Sequence, residues 1–329
     1  MNIAILSVTN QGKKISDILF ENLKDNPLIL NVSQYHKNII STVNDIFDKY
    51  DCIIGIMASG IMIRSIAPHV NSKLSDPAVL LIDDNANFVI SLLSGHFGGA
   101  NDLTLKIANI LDSTPVITTS TDVNNKTGID SIAKRYYCSL ENPKNIKFVN
   151  RALINNQTVD LYLPHKYSYI LDDNVNESYS VHFDDDYDYI VSVIDDYEVI
   201  LKPKQMVMGI GARKDILTSK VKNAINQACS ILEIPVSRID FFATADVKEH
   251  EKGIVDNINE LNKDLIIIPM ADIKSYQNDE CSKSDFVMKQ FGVRGVCEPT
   301  ALIANGKNSH LIFKKTAYNG VTIAVSLKD

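Results

Sequence analysis

Along most of the chain, short runs of consecutive apolar residues alternate with longer stretches whose apolar positions recur every three or four residues. The first pattern describes strands buried on both faces and the second amphipathic helices, so the alternation predicts crossover units around mostly parallel sheets. The expected fold class is multi-domain α/β, with helices flanking the sheets of the N- and C-terminal domains and a smaller middle domain. Residues 3 to 8 predict a strand, and residues 13 to 25 a helix with Ile15, Ile18, Leu19 and Leu23 on its inner face. Asp51 to Met57 reads as a buried strand ending in the turn Ala58-Ser59-Gly60, and Ala78 to Ile82 and Phe88 to Leu92 as two more. A helix from Asn101 to Leu111, a strand at Pro115 to Thr118 and a helix from Thr127 to Tyr137 complete a first domain over residues 1–140. The next stretch is rich in Tyr, Asp and Asn around Phe183-Asp184-Asp185-Asp186-Tyr187-Asp188-Tyr189, which suggests a small acidic domain over 141–204 closed by a Lys202-Pro203-Lys204 linker. Met206 to Gly211 then opens a third, α/β domain over 205–329.

Composition narrows the function. A chain of 329 residues exceeds what one core usually serves. Its 33 Lys and Arg against 40 Asp and Glu give a net charge of -7, so no global positive field gathers nucleic acid, and any anion must be met by local cations. Five scattered cysteines without a Cys-x-x-Cys pair suit a reducing cytoplasm and argue against a disulfide framework or a zinc site. Met1 to Val8 lacks the basic flank of a signal peptide. Leu265 to Ala271, the longest apolar run, is far short of the roughly 20 residues that span a bilayer. Neither nucleic acid nor membrane is an expected partner.

Several motifs carry candidate chemistry. In Leu92-Leu93-Ser94-Gly95-His96-Phe97-Gly98-Gly99-Ala100-Asn101 a strand end meets glycines and then a helix. Backbone amides near Gly98 and Gly99 could face a developing oxyanion, with His96 titrating near neutrality beside them. A tight turn whose histidine only bonds backbone is the competing account. No Gly stands two residues before Ser94 or Ser59, which excludes a nucleophile elbow, and no Gly-Lys-Ser/Thr ending makes a phosphate loop. Gly209-Ile210-Gly211-Ala212-Arg213-Lys214 imitates a dinucleotide fingerprint but has Lys214 at the third glycine. Two cations at an expected helix start would be relieved by a bound carboxylate or phosphate. Arg64, just past a strand end, can grip a carboxylate or else pair with Asp83 or Asp84. The hydroxyls of Thr118-Thr119-Ser120-Thr121 with Asp122 exceed what one helix cap needs, while Glu298-Pro299 reads first as a helix start.

These segments together resemble the cobalt-precorrin-5A hydrolase family, CbiG. The resemblance rests on Gly60 to Pro68, Asp76-Pro77-Ala78-Val79, Leu92 to Asn101, Pro115 to Asp122, Gly209-Ile210-Gly211, Cys297-Glu298-Pro299 and Gly320 to Val325, in family order. It implies three domains, the last similar to a stand-alone protein of the aerobic pathway. It also implies a reaction in which water opens the ring-A δ-lactone of cobalt-precorrin-5A and the bridging carbon leaves with its methyl group as acetaldehyde. Cobalt then arrives inside the corrinoid substrate, with no cofactor or metal site of the protein's own. The family's Cys after the second glycine turn is here Ala212, which removes a thiol nucleophile at that position. The expected roles are His96 as general base on the attacking water, His96 or Glu298 as acceptor of the freed alcohol's proton, and Gly98 and Gly99 as oxyanion donors. Expected substrate contacts are Arg64, Ser94, Gly95, Asn101, Thr118, Thr119, Asp122, Gly209, Gly211, Arg213 and Lys214, with Lys314 and Lys315 as further cations, in a cleft between the end domains. The alternative function is a non-catalytic corrinoid carrier serving neighbouring pathway enzymes.

Overall fold

The computed structural model describes residues 1–73, 75–278, 281–282, 288, 293 and 295–328. They form three sheets, and the chain divides into two compact units, Met1–Pro203 and Lys204–Asp329.

The first sheet has the order β2-β1-β3-β4-β5-β6. Its strands are β1 (Asn2–Ser7), β2 (Asn31–His36), β3 (Cys52–Ile56), β4 (Ala78–Ile82), β5 (Phe88–Leu93) and β6 (Thr114–Val116). Between them run α1 (Asn10–Leu23), α2 (Ile39–Ile46), α3 (Ser59–Ile66) and α4 (Ala100–Leu111). Successive strand residues point to opposite faces, and both faces are apolar. Ile3, Ile5, Leu80 and Ile82 join Leu19 of α1 and Ile107 of α4 in one core. Ala4, Leu6, Val79 and Leu81 join Val43 of α2 and Met62 of α3 in the other. That is why these strands read as unbroken apolar runs. Strands β1 to β4 are mutually parallel, but β5 runs antiparallel to β4, and β6 runs parallel to β5. The carboxyl ends of β5 and β6 therefore lie at the opposite sheet edge from those of β1, β3 and β4.

The chain continues through α5 (Ser120–Val123) and α6 (Ile129–Arg135) into a second sheet, of order β7-β11-β10-β8-β9. Its strands are β7 (Cys138–Glu141), β8 (Asp160–Leu163), β9 (Ser180–Phe183), β10 (Ile190–Ile194) and β11 (Tyr197–Pro203), with α7 (Ile146–Ile154) and α8 (Asp173–Ser178) between them. Lys202 and Pro203, expected in a linker, are the last residues of β11. Helix α7 buries Ile146, Val149 and Leu153 and packs on β10 and β11.

The third sheet, of order β14-β13-β12-β16-β15, belongs to the second unit. Its strands are β12 (Met206–Ala212), β13 (Phe241–Ala245), β14 (Asp264–Ile268), β15 (Ser309–Tyr318) and β16 (Val321–Lys328). Its helices are α9 (Thr218–Leu232), α10 (Lys252–Glu260), α11 (Met270–Ser275) and α12 (Cys297–Asn305). The expected glycine turn is not a turn: Gly209 and Gly211 are buried inside β12. A Cβ on Gly209 would come within 1.9 Å of the Cys297 carbonyl oxygen, so glycine lets the start of α12 lie directly on the strand. Arg213 and Lys214 follow in an exposed loop, and the helix begins only at Thr218, so no helix dipole opposes their charge. No described helix is long and apolar enough to cross a membrane.

Candidate active site

The loop from β5 to α4 concentrates the polar chemistry of the first unit. Ser94 opens it with φ at 56°, a left-handed conformation that a non-glycine residue seldom adopts, and its hydroxyl donates to the Asp76 carbonyl at 3.1 Å. The Ala100 and Asn101 amides close the turn on the carbonyls of Ser94 and Gly95. Gly99, with φ at 85°, donates its amide to the His96 carbonyl at 2.9 Å, so it cannot serve as the expected oxyanion donor. The Gly98 amide donates to no group among the described residues.

His96 is held by two carboxylates. Its Nε2 lies 2.5 Å from Asp122 Oδ2 and 2.9 Å from Thr121 Oγ1, both on α5, and its Nδ1 lies 3.2 Å from Asp130 Oδ2 on α6. Each carboxylate has its own brace. Asn101 Nδ2 donates to Asp122 Oδ2 at 3.2 Å and to Thr119 Oγ1 at 3.1 Å, while its Oδ1 accepts from Ser91 at 2.7 Å. Asn150 Nδ2, from α7, donates to Asp130 Oδ1 at 2.9 Å.

Burial by itself would lower the His96 pKa, but the hydrogen bonds and charges of Asp122 and Asp130 outweigh it and raise the group to about 9. Burial opposes the charge on Asp122 and Asp130 too, yet their bonds to His96 hold both below the usual carboxylate range. At neutral pH the ring is therefore an imidazolium between two carboxylates. Neither nitrogen offers the free lone pair that a general base needs, which departs from the role expected of His96.

Beside this cluster opens a cleft of about 280 Å³. It is lined by His96, Asp130, Asn150, Lys73, Ser94 and the run Thr119 to Thr121, among others. Of the expected residues it gathers Ser94, Gly95, His96 and Thr119, with Asn101 and Asp122 directly behind. Thr118 is exposed and outside the lining. Sequence reasoning missed Lys73, Asp130 and Asn150. Asp130 looks like an ordinary acid in a helix's first turn. Asn150 left a signal, an amide four residues after Ile146 within the apolar stripe of α7.

Arg64 lies elsewhere. Its guanidinium folds back to the start of α3, about 3.3 Å from where a Cβ on Gly60 would be, beyond the carboxyl end of β3. The His96 loop leaves the opposite edge, so Arg64 is not part of this cleft. Nor does Arg64 pair with the neighbouring acids: Asp84 accepts from Thr9, and Asp83 from Asn85, Asn87 and Phe88.

In the second unit, Glu298 is fully buried in the first turn of α12. Its oxygens accept the Ser282 amide at 2.7 Å, the Ser282 hydroxyl at 2.6 Å and the Lys315 amide at 3.0 Å. Those bonds tie two chain segments to the helix, a structural clamp rather than an open proton acceptor. Burial pushes the neighbouring Cys297 thiol up to about 12, so it offers no thiolate.

The fold and a proton-bearing cluster at strand ends define a multi-domain α/β protein with a candidate acid–base site. Residues 41–122, which include this loop, match the cobalamin synthesis G N-terminal family, and residues 206–326 match the cobalamin synthesis G C-terminal family. The chain is 36% identical to a protein of Methanocaldococcus jannaschii named probable cobalt-precorrin-5A hydrolase, over the whole of both chains. It is 26% identical to the cobalt-precorrin-5A hydrolase of Priestia megaterium, over 90% of this chain and 84% of that one. A crystal structure of a cobalamin biosynthesis protein G homolog from Sulfolobus solfataricus superposes with a TM-score of 0.58 at 28% identity, covering 100% of this chain and 97% of the other. This chain belongs to the CbiG family.

Proposed function

We infer that this chain is a cobalt-precorrin-5A hydrolase of anaerobic cobalamin biosynthesis. It opens the ring-A δ-lactone with water and releases acetaldehyde to leave cobalt-precorrin-5B. Kinship to proteins of that name, over the whole chain for one and over 90% and 87% of it for two others, supports the activity. The observation that supports this cleft as the seat of the chemistry is His96, in the family-matched loop, pinned between Asp122 and Asp130.

Water adds to the lactone carbonyl and gives up a proton to solvent, forming a tetrahedral oxyanion whose collapse expels an alkoxide and leaves a carboxylic acid, which then ionises to the carboxylate. As imidazolium, His96 presents positive charge to that oxyanion, with the Gly98 amide as the backbone donor. Acetaldehyde leaves when the alkoxide carbon becomes a carbonyl and the macrocycle keeps the electron pair of the broken carbon–carbon bond. Lys73 and the Thr119 to Thr121 hydroxyls suit a corrinoid carboxylate in the cleft. Because the reaction needs only water and proton transfers, cobalt enters as part of the substrate and the protein requires no cofactor. Five cysteines that form no disulfide support a reducing cytoplasm as its compartment. Anaerobic incubation of the purified protein with cobalt-precorrin-5A tests this reading. Stoichiometric acetaldehyde and a corrinoid of the matching lower mass are expected, and unaltered substrate would overturn it.

A further inference from the structure

We propose that Asn150 is a positioning residue for the hydrolytic site, acting through Asp130 on His96, so that the helix packed on the second sheet sets the geometry of a site built on the first. The proposal rests on the assignment of the reaction to the His96 cleft. It gives the central part of the chain, which carries none of the expected site residues, a defined part in the chemistry.

Three observations carry it. Asn150 is used at both ends of its amide: Nδ2 donates to Asp130 Oδ1 at 2.9 Å, and Oδ1 accepts the Ile129 amide at 3.1 Å. The bridge thus fixes the first turn of α6 and its acid together. Gly128 makes room for it, since a Cβ there would lie 2.8 Å from Asp130 Oδ1 and 3.0 Å from Asn150 Nδ2. With Oδ1 so engaged, Oδ2 of the 7% exposed Asp130 side chain is left for His96 Nδ1. Without the bridge a nearly buried carboxylate loses a donor and its rotamer loses a constraint, and the ring loses its second anchor. Asn101 holds Asp122 in the same manner on the other side, so the sequence of contacts Asn101, Asp122, His96, Asp130, Asn150 clamps one imidazole between two braced acids.

The charged groups facing this ring are Asp122 of α5 and Asp130 of α6. Lys73 faces Asp130 across the cleft, and Lys134 of α6 has its Cε 3.3 Å from where a Cβ on Gly99 would be. None of them lies on α7, whose contribution is the neutral amide alone.

The test is the titration of His96, followed by NMR of histidine-labelled full-length protein, in wild type, Asn150→Ala and Asn150→Leu. Leucine keeps the side-chain volume, so the comparison survives if alanine disturbs folding. Both variants are expected to titrate about one pH unit below wild type, while a denaturation midpoint shows the fold retained. In turnover, kcat is expected to fall roughly tenfold with KM changed less than twofold. Unshifted titration in a folded Leu variant would overturn the proposal, whatever its turnover. A shifted titration together with full turnover in His96→Gln would instead uphold the positioning role and refute the assignment of the chemistry to this cleft.

Discussion

At the residue scale, the proton on His96 follows from a competition. Desolvation disfavours the imidazolium, and two ionised acids restore it. A folded-state pKa of about 9 against about 6.5 in an unfolded chain has a fixed sign. The stabilisation is complete below pH 6.5 or so and is lost as pH rises through about 9. Denaturant titrations should therefore show wild type more stable than His96→Gln at pH 6 by on the order of 2 kcal/mol, with the gap closing by pH 9.5. A gap that persists at pH 9.5 would mean that the ring is neutral in the folded protein. The same reasoning gives turnover an alkaline limb near pH 9, whereas a His96 general base would make the rate rise up to that pH. His96 itself was legible in the sequence, because a histidine among glycines at a strand-to-helix junction has few structural reasons to be there. Its partners were not. Asp130 and Asn150 come from helices whose approach to the loop is a tertiary event, and neither sits in a motif.

Among the elements, β2 with its polar, partly exposed residues was not legible, while β1, β3, β4 and β12 were, because burial on both faces leaves a nearly unbroken apolar run. The second sheet was not. Its strands are short and partly exposed, as in β9 and β11, and its turns are acidic and tyrosine-rich, so local composition hid the alternation. Glycines in β12 were misread because a two-glycine pattern looks alike whether it bends the chain or admits a neighbour. Here it admits α12, so Gly209→Ala should destabilise the second unit by about 3 kcal/mol or more, read as an earlier denaturation transition. An unshifted transition would show that α12 does not lie on the strand at that distance. Glu298→Gln should also act through folding: its oxygens accept three donors, and losing the charge should cost about 1 to 3 kcal/mol while leaving KM unchanged in the folded fraction. A KM change in folded Glu298→Gln would restore Glu298 to the substrate site.

For the molecule as a whole, one reversal decides which residues share a site. Treating the first sheet as mostly parallel put Arg64 and the His96 loop at one edge, but β5 turns back on β4 and sends its loop to the other. The sequence did hold the clue: only Asp83 to Asn87 separate the two strands, too few residues for the crossover of roughly ten or more that a parallel connection requires. Five-residue strands then place some 17 Å between the two edges, and Lys73, not Arg64, is a cation lining the cleft. Arg64→Ala should change corrinoid affinity less than twofold, whereas Lys73→Ala should weaken it several-fold, both measurable by anaerobic spectroscopic titration. The reverse order would move the substrate to the other edge of the sheet.

The most direct test of the central claim is anaerobic acetaldehyde release from cobalt-precorrin-5A by His96→Gln, measured beside wild type with corrinoid binding followed in the same samples. A fall of about 10²-fold or more in release with binding retained is the predicted result. Near wild-type release from a folded, corrinoid-binding His96→Gln protein would contradict the account.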